Sequence, residues 1–184
     1  MITIELIQQY NFVLALLGIG AILLSIVLFY DSSRTRYLTT IMKRYGVCIA
    51  FLVTTLSAVL TLIYSEVFGF IPCGLCWFER IMLYPQVLIL GTALYIKDRT
   101  VPYYGIVLSV FGFFISLYHH YIQMGGSEFV RCPTAGSGAD CAKRILFEFN
   151  FMTFPLLAAI LFAFLIVLYL SILRAKPNSF RLAD

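Results

Sequence analysis

The chain has 184 residues, of which 61% are hydrophobic and 12% charged, and its mean hydropathy is +0.95. Soluble domains carry about 25% charged residues, so a water-facing fold is excluded and the bilayer must act as solvent. The net charge of +4 does not point to nucleic acid, because the basic residues lie between apolar spans and report membrane topology instead.

Five stretches are long and apolar enough for a transmembrane helix, which takes about 20 residues. The first runs from Asn11 to Tyr30 and the second from Tyr45 to Ser65, both without charge. The third begins near Trp77 and ends at Ile96, with Glu79 and Arg80 in its first turn. The fourth is Val101 to Gln123 and the fifth Phe149 to Leu173. The expected fold is all-α, a single polytopic membrane domain over residues 1–184. A four-helix transmembrane bundle occupies 45–173, one extra N-terminal transmembrane helix occupies 11–30, and two loops, 66–77 and 124–148, carry cysteines. The first span is read as a retained helix and not a signal peptide. Met1–Tyr10 has Glu5 but no Lys or Arg, and no small-residue cleavage site stands near Tyr30.

Orientation follows from the basic residues. Arg34, Arg36, Lys43 and Arg44, then Lys97 and Arg99, then Arg174, Lys176 and Arg181 all fall on one side, and make nine of the thirteen Lys and Arg. By the positive-inside rule that side is the cytoplasm. The N-terminus and the loops with Cys73, Cys76, Cys132 and Cys141 then face outward, where disulfides persist.

Cys73-Gly74-Leu75-Cys76 follows Pro72 and opens a helix, where unpaired N–H groups stabilise a thiolate. Arg80 stands four residues after Cys76, on the same helical face, where a guanidinium would lower the Cys76 pKa or bind a ligand carbonyl. A c-type haem would need His in place of Trp77, and the four cysteines are too loosely spaced for zinc, so no metal is expected. A bridge this short constrains the unfolded chain little, which argues for redox use over stapling. Cys132 and Cys141 bracket a loop of small residues. Either they form a disulfide that tidies the loop, or a mobile pair that exchanges with a docked protein and then with the first pair. The run from Ala142 to Asn150 mixes charged and apolar residues, as a segment lying along the membrane surface would.

Other residues read as structural. Cys48 is a packing residue of span two, Pro85 and Pro155 bend spans, and Trp77, Tyr84, Tyr103, Tyr104, Tyr118 and Tyr121 form an interfacial belt. Glu79 sits at the surface in a first turn, where an acid suits the helix dipole. His119 and His120 cannot make a b-haem site in one chain that has no third histidine.

The string Phe70-Ile-Pro-Cys-Gly-Leu-Cys-Trp-Phe-Glu-Arg-Ile-Met-Leu-Tyr-Pro85 resembles the disulfide bond formation protein B family (DsbB, with its BdbC branch). The likeness extends to Tyr118-His119-His120, the Cys132/Cys141 loop, Asp140 to Arg144 and Phe151 to Pro155, covering residues 45–173. It implies a quinone-dependent oxidoreductase of the bacterial cytoplasmic (inner) membrane, using ubiquinone or menaquinone, that re-oxidises a secreted DsbA-like thioredoxin-fold protein. In that scheme the disulfides are Cys73–Cys76 and Cys132–Cys141. The partner's thiol attacks Cys132, the released Cys141 attacks Cys73, and Cys76 is left as the thiolate beside the quinone. Arg80 holds a quinone oxygen, and His120 matches a histidine near the quinone. The first span departs from the family's four-helix pattern, and the intercysteine loop is short, nearer the BdbC branch. The competing reading is a non-catalytic membrane scaffold with structural outward disulfides.

Overall fold

The computed structural model describes residues 4–33, 37–98, 100–127, 129, 132, 140–144 and 146–174, and only the backbone of 4–7, 32–33 and 37–43. Arg34, Arg36, Arg99, Lys176, Arg181 and most of the intercysteine loop therefore lie outside the described residues, as does the side chain of Lys43. The helices are α1 (Ile4–Ser33), α2 (Tyr37–Leu62), α3 (Gly74–Ile96), α4 (Val101–Gln123) and α5 (Phe154–Arg174). A π-helical turn, Ile63–Val67, extends α2. The all-α membrane architecture expected from the sequence holds. Gln8–Asp31, Arg44–Val67, Val101–Gln123 and Phe154–Arg174 are each long and apolar enough to cross a membrane. Helix α3 is not among these four, since Glu79, Arg80 and Gln86 make it more polar. Its 23 residues still extend about 34 Å at 1.5 Å per residue.

Helices α2, α3, α4 and α5 pack in a closed ring, α2 against α3, α3 against α4, α4 against α5, and α5 back against α2. The reason lies in α4. Its inward residues Gly105, Ser109, Gly112, Ser116, His119 and Gln123 recur at alternating steps of four and three, one continuous stripe along the helix. Small residues on that stripe let backbones approach, the usual means of helix association in lipid. A Cβ added to Gly112 would lie 2.5 Å from Phe162, and one added to Gly105 would lie 2.5 Å from Tyr169. Mid-bundle, Gln86 Oε1 accepts from Tyr169 Oη at 3.0 Å and from Ser109 Oγ at 3.3 Å. These bonds tie α3, α4 and α5 together inside the apolar core of Leu83, Leu90, Phe162, Leu165 and Leu168. The outer faces expose Leu52, Leu56, Leu88, Phe111 and Phe114, which suits a lipid surround.

The extra helix α1 packs on α5 and α2. Asn11, buried, accepts a 2.7 Å hydrogen bond from Tyr64 Oη, and Ala15 covers Leu146 and Met152 of the segment before α5. That segment differs from expectation. Residues 149–153 do not start the last helix, because Phe149 and Asn150 turn at φ 54° and 63° and Glu148 pairs with Met152. Thr153 Oγ1 caps α5 by accepting from Leu156 N–H at 3.3 Å. Pro155 therefore sits in the first turn, where its missing N–H costs nothing, and does not bend the helix. Within the run from Ala142 to Asn150, Leu146 is fully buried under α1, while Lys143, Arg144, Phe147 and Phe149 are exposed.

Candidate functional site

Cys73 has extended backbone (φ −74°, ψ 173°) and caps α3, its sulfur accepting from Cys76 N–H at 3.3 Å. One turn on, the Cys76 sulfur stands 2.9 Å from that of Cys73, with no bond closed between them. The expected Cys73–Cys76 disulfide is thus seen here as its dithiol. The inward stripe of α4 brings in His119, 1% exposed, with Nε2 3.6 Å from the Cys73 sulfur. His119 Nδ1–H donates to Glu79 Oε1 at 3.0 Å. A connected chain Glu79–His119–Cys73 therefore crosses from α3 to α4 and back.

Electrostatics follow from these contacts. The Cys73 thiol is pulled down to about 4, chiefly by its hydrogen bond with Cys76, then by His119 and the Cys76 backbone, against burial that pushes it up. The sequence reading assigned the stabilised thiolate to Cys76 through Arg80. Here it is the Cys73 thiol that is lowered, and Arg80 is not among the causes. Arg80 is buried and differently engaged, donating to the Thr61 carbonyl at 2.9 Å with its guanidinium 5.4 Å above the Trp77 ring. Thr61 lies just before the π turn and also meets Tyr84 Oη at 2.9 Å. Tyr84 is therefore a packing residue and not part of an exposed belt.

Cys132 and Cys141 form a disulfide, their Cα atoms 6.1 Å apart. Cys141 is fully buried and shares one cluster with Cys73, Leu75 and Ile122, bordered by Cys76, Tyr118 and Cys132. Two straps hold it to the end of α4. Gln123 Nε2 donates to the Lys143 carbonyl at 3.1 Å, and Arg144 Nε donates to the Gln123 carbonyl. The loop segment that contains Cys141 is thus docked on the bundle. All four cysteines named from the sequence meet in this cluster.

It is His119 that meets the cysteines, while His120, named from the resemblance, has Nδ1 2.8 Å from Thr153 Oγ1. Consecutive helical residues diverge by about 100°, so only one of the two can lie on the inward stripe. Two other readings change. Glu79 is not at the surface but three-quarters or more buried against His119. Cys48 is exposed on α2 and is not a core packing residue. The four-three spacing of Gly105, Ser109, Gly112, Ser116 and His119 was the signal in the sequence that could have singled out His119.

A dithiol and a disulfide packed together in a helical membrane protein define a class that handles thiol–disulfide chemistry. The profile described as "Disulfide bond formation protein DsbB" matches residues 43–173, and the chain belongs to that family. It is 36% identical to "Probable disulfide formation protein C 2" of Bacillus anthracis over 141 residues, 76% of this chain and 99% of that one. Against "Disulfide bond formation protein C" of Bacillus subtilis (strain 168) it is 37% identical over 118 residues, covering 64% and 84% of the two chains. The "SPbeta prophage-derived disulfide bond formation protein B" of the same strain is 37% identical over 113 residues, 61% of this chain and 75% of the relative. No solved structure matches significantly. The four-helix ring coincides with the matched residues, and α1 lies before them.

Proposed function

We propose that the chain re-oxidises a DsbA-like thioredoxin-fold oxidant outside the cytoplasm and delivers the electrons to a membrane quinone. The observation that carries this reading is the single cluster holding both cysteine pairs, because exchange requires sulfur to reach sulfur. In this reading the N-terminus and cysteine loops face outward and the C-terminus is cytoplasmic, as the Lys and Arg distribution favours.

The partner's thiolate attacks Cys132, and the Cys141 thiolate leaves. The partner's second thiol then resolves the mixed disulfide, so the partner is oxidised and Cys132 and Cys141 become a dithiol. Cys141 next attacks Cys73 of the Cys73–Cys76 disulfide, and Cys76 leaves as thiolate. Attack by Cys132 on Cys141 restores the outer disulfide and frees Cys73, which leaves the Cys73–Cys76 dithiol. His119 supports Cys73 as leaving group, donating a hydrogen bond to the departing thiolate, while Glu79 fixes the imidazole. A quinone held there would supply a two-electron, two-proton acceptor for that dithiol.

The residues present fit such a group. Arg80 is a buried cation with no carboxylate partner among the described residues, so N–H donors remain for a carbonyl oxygen. Ser116 Oγ, one turn before His119 on the inward stripe, is buried without a partner. The scaffold reading leaves the buried Glu79–His119–Cys73 chain without a purpose. The test is trapping. The intact chain, its Cys132–Cys141 bridge closed, mixed with a reduced thioredoxin-fold oxidant whose second active-site cysteine is replaced by Ser, should accumulate a mixed disulfide at Cys132 with Cys141 released as a thiol, and its absence would reject the partner assignment.

A further inference from the structure

We propose that the reduced chain binds one zinc-class divalent cation through Cys73, Cys76 and His119, a site that switches the dithiol off reversibly. The three donor atoms lie within 4.8 Å of one another and are buried or half-buried. The expectation of no metal rested on the four cysteines alone, which are too loosely spaced for zinc. Here the third ligand comes from a different helix, so cysteine spacing could not reveal it.

The donor set suits the ion. Two thiolates and one imidazole neutralise a divalent charge, and they leave the fourth tetrahedral position open. With Zn–S about 2.3 Å and Zn–N about 2.0–2.1 Å, tetrahedral geometry needs sulfurs about 3.8 Å apart and a sulfur–nitrogen distance of about 3.6 Å. The Cys73 sulfur already stands 3.6 Å from His119 Nε2, and the two sulfurs, 2.9 Å apart, need only separate by side-chain rotation. Glu79 supplies the feature that a bare dithiol lacks. Its carboxylate accepts from Nδ1–H at 3.0 Å, which directs the Nε2 lone pair toward the sulfurs once its proton leaves, the carboxylate–histidine–metal arrangement.

Binding displaces the protons that the donor atoms still hold and releases them to solvent. No electron moves, and both sulfurs stay at the thiol level. The disulfide form cannot bind, since its sulfurs are bonded to each other. An ion on the dithiol withdraws both sulfurs from exchange until a chelator removes it. The binding itself requires neither quinone nor partner, so this inference and the proposed function can fail separately.

The experiment uses the full chain in detergent, reduced and freed of reductant under anaerobic conditions, with Cd²⁺ as probe and Zn²⁺ as competitor. Alkylation with peptide mapping reports which thiols the ion protects, and thiolate-to-Cd²⁺ charge-transfer absorbance reports affinity. The expected result is one Cd²⁺ per chain, with Cys73 and Cys76 protected and Cys132 and Cys141 open to alkylation. Cys76→Ser should abolish binding. Glu79→Gln should weaken it by about 10- to 100-fold, and His119→Ala by at least as much. If His119→Ala does not fold, Glu79→Gln supplies the same test. Protection of Cys132 and Cys141 instead, absence of any protection, or unchanged affinity in both the Glu79 and the His119 variant would each overturn the site.

Discussion

His119→Ala is the most informative single change, because it removes one defined contact from the Cys73 sulfur. The contact spans 3.6 Å between buried groups. A hydrogen bond to a charged group contributes about 1.5–3 kcal/mol, and one pKa unit corresponds to about 1.4 kcal/mol. The Cys73 thiol should therefore rise from about 4 by about one to two pH units. It should not return to the ordinary cysteine range, since the larger cause, Cys76, is untouched. The assay is the pH profile of alkylation at Cys73 in the metal-free dithiol chain, read by peptide mapping. The sign also governs stability. A depressed thiol pKa favours the folded dithiol fully above the unfolded value of about 8.5. That contribution fades as pH falls and is gone below about 4. The acid limb of dithiol stability should therefore be shallower in His119→Ala. A Cys73 alkylation profile identical to that of the parent chain would refute the assigned contact.

Other changes separate structure from chemistry. Gly112→Ala places a Cβ 2.5 Å from Phe162 and should lower stability by about 1–3 kcal/mol through overpacking, read as a drop in Tm in detergent. Arg80→Ala should raise the KM for quinone more than the KM for the reduced partner, and equal losses in steady-state kinetics would count against its role. Cys48→Ala should leave turnover unchanged, because Cys48 is exposed on α2 outside the cysteine cluster. Loss of turnover in that variant would show a thiol path that the cluster does not contain.

The helices were legible because lipid demands long apolar runs, and four of the five satisfy that demand by composition alone. Helix α3 was legible by another route, since Pro72 and the Cys73–Cys76 motif mark its start even though Glu79, Arg80 and Gln86 dilute its hydropathy. The cysteines were legible as two pairs, but their meeting depends on Ile122 and on the Gln123 and Arg144 straps, contacts between distant residues. Glu79 was misplaced because a first-turn acid has a sufficient local explanation in the helix dipole. Only the approach of α4 gives it a partner. The choice between His119 and His120 was present in the four-three spacing of small residues along α4, a pattern that hydropathy hides because glycine and serine count for little.

The central claim is that electrons pass from the outer cysteines to the inner pair and on to quinone. The direct measurement mixes fully reduced, reductant-free chain with quinone anaerobically and follows quinol by absorbance and each thiol by timed alkylation. The account predicts that Cys73 and Cys76 become protected first, Cys132 and Cys141 after them, with quinol appearing in step. Four thiols that remain free in the presence of quinone would contradict it.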